Sequence, residues 1–227
     1  MNIAVVVAAG SGLRMKNVGE PKQFLYINNK PLMVYSLETF NIHPRIDYII
    51  VVTSEEHISQ VEKMCSIFKL SKVKAVVKGG LTRQESVLCG LEKAMEYHKD
   101  KEDIVLIHDA ARPLVSLKII GDNIDTVQKY GAAVTAINAS DTILSIKEDI
   151  VSSDLDRNTI YQAQTPQSFR LEEIYRIHKK AQNHNATDDA SLFVSNGGAV
   201  HLVNGDKKNF KITTDDDLLM LKALLQK

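Results

Sequence analysis

The chain has 227 residues, 28 Lys and Arg against 28 Asp and Glu, 44% hydrophobic residues, two cysteines, five prolines and no tryptophan. A domain of this size buries roughly 70–75% of the surface its unfolded chain exposes, so its core needs neither disulfides nor a structural metal, and disorder is excluded. Zero net charge excludes the broad basic footprint of a general nucleic-acid binder but leaves room for local clusters that take one small anion.

In chain order, residues 3–8, 48–53, 73–77 and 104–107 are short β-branched runs that predict strands, the first, second and fourth apolar enough to be covered on both faces. Helical period separates them: over 32–40, with Pro31 suited to a first helical position; over 55–68 behind Ser54 as cap; and from Thr82 to about residue 97, where Thr82 and Glu85 have the spacing of a capping box. The βαβαβαβ order predicts an α/β fold with a parallel sheet and right-handed crossovers, which binds ligands beyond the carboxyl ends of its strands. A helix over 117–130 and a strand over 132–137 come next. Residues 138–161 then break into alternating pieces, 142–146 and 149–152, between polar turns. They predict a β-arm, and because a two-stranded piece is marginal alone, the arm needs another surface to pack on. Helices over 171–181 and 188–195, a strand over 199–203 and a last helix capped by Thr214 complete a single domain, 1–227. The early apolar run is too short to span a bilayer and lacks a basic leader, and Cys65 and Cys89, without a CxxC partner, are expected as buried thiols; the expected compartment is the cytoplasm.

The chemistry is expected just after strands. The first strand is followed by Gly10, Gly12, Arg14 and then Lys22, within a long connection, 9–30, of little regular pattern. Glycines let a backbone approach a ligand closely, and backbone N–H groups with Arg14 and Lys22 suit phosphate charge, although a loop of solvated basic residues has the same composition. It is not a Walker motif, and without a third glycine it is not a dinucleotide fingerprint, which counts against an NAD-dependent oxidoreductase. Gly79, Gly80, Arg83 and Ser86 follow the third strand, either as backbone donors and acceptors for a base or sugar or as an ordinary strand-to-helix turn. The fourth strand ends in His108-Asp109-Ala110-Ala111-Arg112-Pro113. Asp109 is placed to bind Mg²⁺, which prefers oxygen ligands, or to pair with Arg112; His108 is read as structural, since no GxSxG elbow accompanies it. Further polar groups stand at Asp141-Thr142, Asp156-Arg157-Asn158, Thr165 and Thr187-Asp188-Asp189, the last of these compatible with simple capping, and Lys211 lies in a short extended segment before the last helix.

Taken together and in this order, AAGSGLRM, PKQF, GGLTRQESV, HDAARP, DRN, QTPQSF, TDDAS and NFKITT resemble the 2-C-methyl-D-erythritol 4-phosphate cytidylyltransferase family over nearly the whole chain. The resemblance implies a Rossmann-like nucleotidyltransferase with a mostly parallel central sheet, helices on both faces and a projecting β-arm, transferring CMP from CTP to a sugar-alcohol phosphate with Mg²⁺ as cofactor. It implies that Arg14 and Lys22 contact the triphosphate and Lys211 the pentacoordinate phosphorus. Ala8, Ala9, Gly80 and Ser86, with Gly10, Gly12, Gly79 and Arg83 in the same loops, would surround the nucleotide. Asp109, Arg112, Thr165 and Thr187 would hold the acceptor, and Thr142 and Arg157 on the arm, 138–161, would reach a partner's site in a homodimer. Leu81 and Asp215-Asp216 depart from the family's pattern without removing a reacting group. Ribitol-5-phosphate cytidylyltransferases resemble the chain almost as well, and Ala111 with Ala190-Ser191 tips the reading towards methylerythritol phosphate. A regulatory module that binds nucleotide without turnover is the reading of another class; it would lack charge at Arg14, Lys22, Asp109 or Lys211, and all four are present. Nucleic-acid and membrane partners are not expected.

Overall fold

The structure, a computed structural model, describes residues 1–10, 21–154, 156–181 and 187–226, with only the backbone of Asp154. The first strand, β1 (Asn2–Val7), precedes a 3₁₀ turn (Lys22–Phe24), a small hairpin of β2 (Tyr26–Ile27) and β3 (Lys30–Pro31), and α1 (Leu32–Ile42). The predicted alternation continues with β4 (Tyr48–Thr53), α2 (Ile58–Ile67), β5 (Val73–Lys78), α3 (Arg83–Met95), β6 (Ile104–Asp109), α4 (Leu117–Tyr130) and β7 (Ala132–Asn138). The arm strands β8 (Leu144–Lys147) and β9 (Ile150–Asp154) come next. They are followed by β10 (Tyr161–Arg170), α5 (Leu171–Lys180), α6 (Asp189–Ser195), β11 (His201–Asn204) and α7 (Asp215–Leu225).

The central sheet has the order β11-β7-β10-β6-β1-β4-β5. β1 pairs in parallel with β4 and β6, β4 with β5, and β7 with β11, while β10 runs antiparallel to both β6 and β7. The sheet is therefore mostly parallel, with β10 opposed, an element that the pattern of the sequence does not predict. From β1 the chain steps outward to β4 and β5, then returns to β6 on the other side of β1. Such a reversal of strand order opens a crevice beyond the carboxyl ends of the two neighbouring strands. The loops after β1 and β6 flank it.

Period-2 alternation along β1 divides the core between two layers. Ala4 and Val6 pack with Phe24, Met33, Leu37, Phe40 and Ile120 on one face, and Ile3 and Val5 with Leu91, Phe169, Leu171 and Ile174 on the other. On the second face a Cβ on Gly90 would lie 2.4 Å from Val5 Cγ1, so α3 approaches β1 more closely than any side chain at that position allows. The expected capping box forms at Thr82 with Glu85, and the expected cap Thr214 goes further than predicted, forming a capping box with Asp217.

Three local expectations are corrected. Pro31 is extended (φ −60°, ψ 142°) and ends β3 ahead of the helix. Ser54 makes no capping bond; its Oγ meets His57 Nδ1 at 2.6 Å, and residues 55–57 form a 3₁₀ turn before α2 begins. Cys65 and Cys89 are free but only half-buried, and burial pushes both thiols up, Cys65 to about 11. In the arm, Glu148 and Asp149 both take positive φ (50° and 62°), the requirement of a type I′ turn, so the second strand starts after them. Leu144, Ile146, Ile150 and Val151 on this arm are all exposed.

Candidate active site

The loop after β1 is held by backbone and amide bonds. Ala8 N donates to Val52 O (2.7 Å), and Gln23 Nε2 donates to Ala8 O (2.7 Å) and Gly10 O (3.1 Å). The loop after β5 presses on it: a Cβ on Gly79 would lie 2.7 Å from both Ala9 Cβ and Ser86 Oγ, a space that only glycine leaves open. Ser86 Oγ donates back to Thr82 O (2.9 Å), closing the first turn of α3.

The third side of the crevice joins the loop after β6 to the segment before α7. Ile212 N donates to Ala111 O (2.8 Å), and Arg112 Nη1 donates to Asn209 O (2.9 Å). These bonds place Lys211 beside β6, where its Nζ stands 2.7 Å from Asp109 Oδ2, and Lys22 Nζ donates to Ile212 O (2.6 Å) one residue further on. Arg83 Nε lies 3.2 Å from the other oxygen, Asp109 Oδ1. The walls enclose a cleft of about 480 Å³ lined by Ala8, Ala9, Gly10, Lys22, Gln23, Gly80, Arg83, Ser86, Asp109, Ala110, Ala111 and Lys211, among others.

Charge is dense here. Burial alone would raise the Asp109 carboxyl, but the Arg83 and Lys211 cations outweigh it and hold the group well below the usual carboxylate range. Burial likewise opposes charge on Arg83, and Asp189 and Asp109 more than compensate, holding its pKa above the usual arginine value. Arg112 goes the other way: burial lowers it, Arg83 repels it, and Asp109 restores only part of the loss. The site thus keeps Asp109 ionised and both Arg83 and Lys211 directed at one point of the cleft.

His108 supports this arrangement from behind. It is fully buried, with Nε2 3.1 Å from Arg112 O and Nδ1 3.0 Å from Thr165 Oγ1, which also accepts from Asp109 N (3.0 Å). These partners assign the proton to Nε2 and a neutral ring. Burial pushes His108 down to about 4, whereas an unfolded histidine titrates near 6.5. Between those values the unfolded chain binds the extra proton, so stability falls as pH drops from about 6.5 to about 4, by roughly 3 kcal/mol at about 1.4 kcal/mol per unit. Asp109, whose carboxyl is depressed, loses its contribution only below that window. Urea denaturation at pH 7.5 and 4.5 is expected to show a larger acid loss in the native chain than in His108→Gln; equal losses would contradict the assignment.

A family model described as "IspD: 2-C-methyl-D-erythritol 4-phosphate cytidylyltransferase" matches residues 2–227. The chain belongs to this family. It is a cytidylyltransferase, and its fold is the Rossmann-like one of that family. A Clostridium acetobutylicum relative named 2-C-methyl-D-erythritol 4-phosphate cytidylyltransferase is 42% identical, covering 100% of this chain and 98% of its own. A Vibrio parahaemolyticus relative named ribitol-5-phosphate cytidylyltransferase is 40% identical, covering 99% and 96%. The crystal structure of 4-diphosphocytidyl-2C-methyl-D-erythritol synthase from Anaerococcus prevotii superposes with a TM-score of 0.85 at 28% identity, covering 100% of this chain and 96% of that one.

Most of the residues expected to act in a cytidylyltransferase of this family share the cleft: Ala8, Ala9, Gly10, Lys22, Gly80, Arg83, Ser86, Asp109 and Lys211. Gly79 stands behind its wall, and Thr165 is buried, holding the backbone of Asp109. Arg112 does not form the alternative ion pair with Asp109; its guanidinium binds the carbonyls of Asn209 and Ala163. Thr187 lines a smaller hollow next to Arg83. Thr142 and Arg157 are exposed on and beside the arm, away from this chain's own cleft lining. Arg14 and Gly12 lie outside the described residues. Two contributors carry no role legible from sequence: Gln23, whose only signal is an amide side chain between Lys22 and Phe24, and Asp189, which reads as a helix cap.

As a candidate metal ligand, Asp109 has both oxygens engaged by cations. Among the described residues no three His, Cys, Asp or Glu side chains cluster to hold an ion, and Asp109 is the one carboxylate lining the cleft. Magnesium commonly binds through substrate phosphates and water with few protein ligands. The donor set therefore suits an ion carried on phosphate oxygens and does not suit one caged by the protein. No described helix is long and apolar enough to cross a membrane.

Proposed function

We propose that the chain transfers CMP from CTP to 2-C-methyl-D-erythritol 4-phosphate, giving 4-diphosphocytidyl-2-C-methyl-D-erythritol and pyrophosphate. The acceptor's phosphate oxygen attacks the α-phosphorus and the bond to the β-phosphate oxygen breaks. The phosphate monoester is already nucleophilic near neutral pH, so no protein base and no covalent intermediate is needed. The difficulty is electrostatic, because one anion must approach another while charge grows on the leaving group. Fixed cations lining the cleft meet that requirement by position and charge. In this reading Lys22, with Arg14, binds the triphosphate, and Lys211 stabilises the phosphorus as it becomes pentacoordinate. Ala8–Gly10, Gly80 and Ser86 hold the nucleoside, and Asp109, Arg112, Thr165 and Thr187 orient the acceptor. Mg²⁺ bound to the phosphate oxygens would add positive charge against the developing pyrophosphate.

The observation that supports the choice of acceptor is that two alanines, Ala110 and Ala111, line the cleft beside Asp109 and bring no polar side chain there. Methylerythritol phosphate offers a branching methyl where ribitol phosphate has only hydroxyl-bearing carbons, and a buried hydroxyl without a partner is disfavoured. The ribitol reading retains one specific support, the 40% identity to the Vibrio relative. With CTP and Mg²⁺, pyrophosphate release is expected to be about 5- to 150-fold more efficient with methylerythritol phosphate, since one unpaired buried hydroxyl costs about 1–3 kcal/mol. Faster turnover of ribitol phosphate would reverse the assignment.

The reading includes a cytoplasmic homodimer held by the arm, 138–161, with Thr142 and Arg157 completing the partner's site. The exposed apolar side chains of the arm support it.

A further inference from the structure

A second buried carboxylate stands behind the cleft wall, and it has no part in the proposed reaction. Asp189, the first residue of α6, is 1% exposed. Its Oδ2 lies 2.9 Å from Arg83 Nη2 and its Oδ1 3.1 Å from His178 Nε2 on α5. Arg83 in turn meets Asp109 Oδ1 at 3.2 Å, and Asp109 Oδ2 meets Lys211 at 2.7 Å. One unbroken line of five side chains thus runs from α5 to the reacting cleft.

Helix capping does not account for Asp189. The α6 cap is Asp188, whose side chain accepts from Ser191 N and from Gln167 Nε2. A buried carboxylate is costly unless paired, and here the partner is Arg83, whose Nη2 makes an ion pair with Oδ2 without an aligned hydrogen bond while its Nε donates to Asp109. Burial opposes charge on Asp189, yet Arg83 and the His178 hydrogen bond hold it ionised. His178 Nδ1 has no protein partner and adjoins a hollow of about 20 Å³, the room of one water.

We propose that Asp189, steadied by His178, is a positioning residue for Lys211. By pairing with Nη2 of Arg83, the donor next to the Nε given to Asp109, it fixes the plane of the Asp109 carboxylate, and with it the point from which the Lys211 ammonium meets the phosphorus. Without that anchor Arg83 is free to turn both its donors onto Asp109 or onto substrate phosphate, and the share of Asp109 left to Lys211 changes. The inference rests on the role proposed for Lys211 in the transfer reaction.

A double-mutant cycle tests it, with kcat and KM for CTP measured in the native chain, Asp189→Asn, Lys211→Ala and the double variant. The expected result is a loss of about tenfold in kcat for Asp189→Asn, KM within threefold, and less than a twofold further loss in the Lys211→Ala background, because the two residues act through one another. Asp189→Glu should recover most of the lost turnover. His178→Gln, a gentler change, should give a smaller loss that also vanishes without Lys211. Equal losses in both backgrounds would make Asp189 a packing element and overturn the proposal. If Lys211→Ala itself leaves kcat unchanged, the lysine assignment falls first and the inference falls with it.

Discussion

Replacing Lys211 by alanine is expected to lower kcat by roughly 10²–10³-fold while KM for CTP moves by no more than a few-fold. The magnitude is that of removing one preorganised charge or donor from a developing oxyanion. The Lys211 side chain is 34% exposed and its ammonium is paired with Asp109, so it is not buried in the core. The segment that carries it is fixed independently, through Ile212 N to Ala111 O and Asn209 O to Arg112, and removing the side chain leaves those bonds in place. Asp109 keeps Arg83 as partner, so the variant does not strand a buried charge. The fall should therefore appear in kcat, as for an interaction made mainly in the transition state. Steady-state kinetics beside a thermal melt separates the outcomes: turnover near the native value would remove Lys211 from the chemistry, whatever its distance from Asp109.

The parts of this site that were legible in the sequence share a physical property. β1, β4 and β6 are continuous apolar runs because both faces of a central parallel strand are covered, and the loop after each had to sit at the ligand-binding edge. The capping box at Thr82 and the cap at Thr214 announce helix starts through side-chain chemistry that is local in sequence. β10 was illegible for the opposite reason. Gln164, Thr165, Gln167 and Ser168 are buried polar residues in an interior strand, with a Pro among them, and hydrophobic periodicity reads such a stretch as a loop. Their partners are distant: Asp206 O and Asn209 for Gln164, Asp188 and Ala190 N for Gln167, Asn123 for Ser168, and His108 with Asp109 N for Thr165. The hairpin at Tyr26–Pro31 left a trace in Asn28-Asn29, both at positive φ, but four paired residues are too few for a strand pattern. The Arg83–Asp109–Asp189 line was out of reach altogether. Nothing local distinguishes a carboxylate that caps a helix from one that turns inward to meet a guanidinium 106 positions earlier in the chain.

The second large effect is expected from the arm. Substituting Ile146→Lys together with Ile150→Lys should convert the proposed dimer to a monomer in analytical ultracentrifugation and lower kcat/KM for the acceptor by roughly 10²-fold, with KM for CTP little changed. β8 and β9 form a two-stranded sheet of their own, separate from the central one, and such a pair is marginal without a surface to cover it. Leu144, Ile146, Ile150 and Val151 are between 47% and 71% exposed in a single chain, which is more apolar surface than an isolated ribbon tolerates. Ile146 pairs with Val151 and Lys147 with Ile150, so positions 146 and 150 lie on opposite faces of the ribbon, and whichever face meets a partner would have to bury one unpaired lysine, at a cost large enough to dissociate it. Neither position touches the folding of the central sheet, so the monomer should melt near the native temperature. The activity loss stems from the proposed reach of Arg157 into the partner's site, where one guanidinium–phosphate contact is worth about 2–3 kcal/mol, or some 30- to 150-fold. A variant that is monomeric yet fully active would keep the dimer and discard the shared site; one that remains dimeric would place the interface elsewhere on the fold.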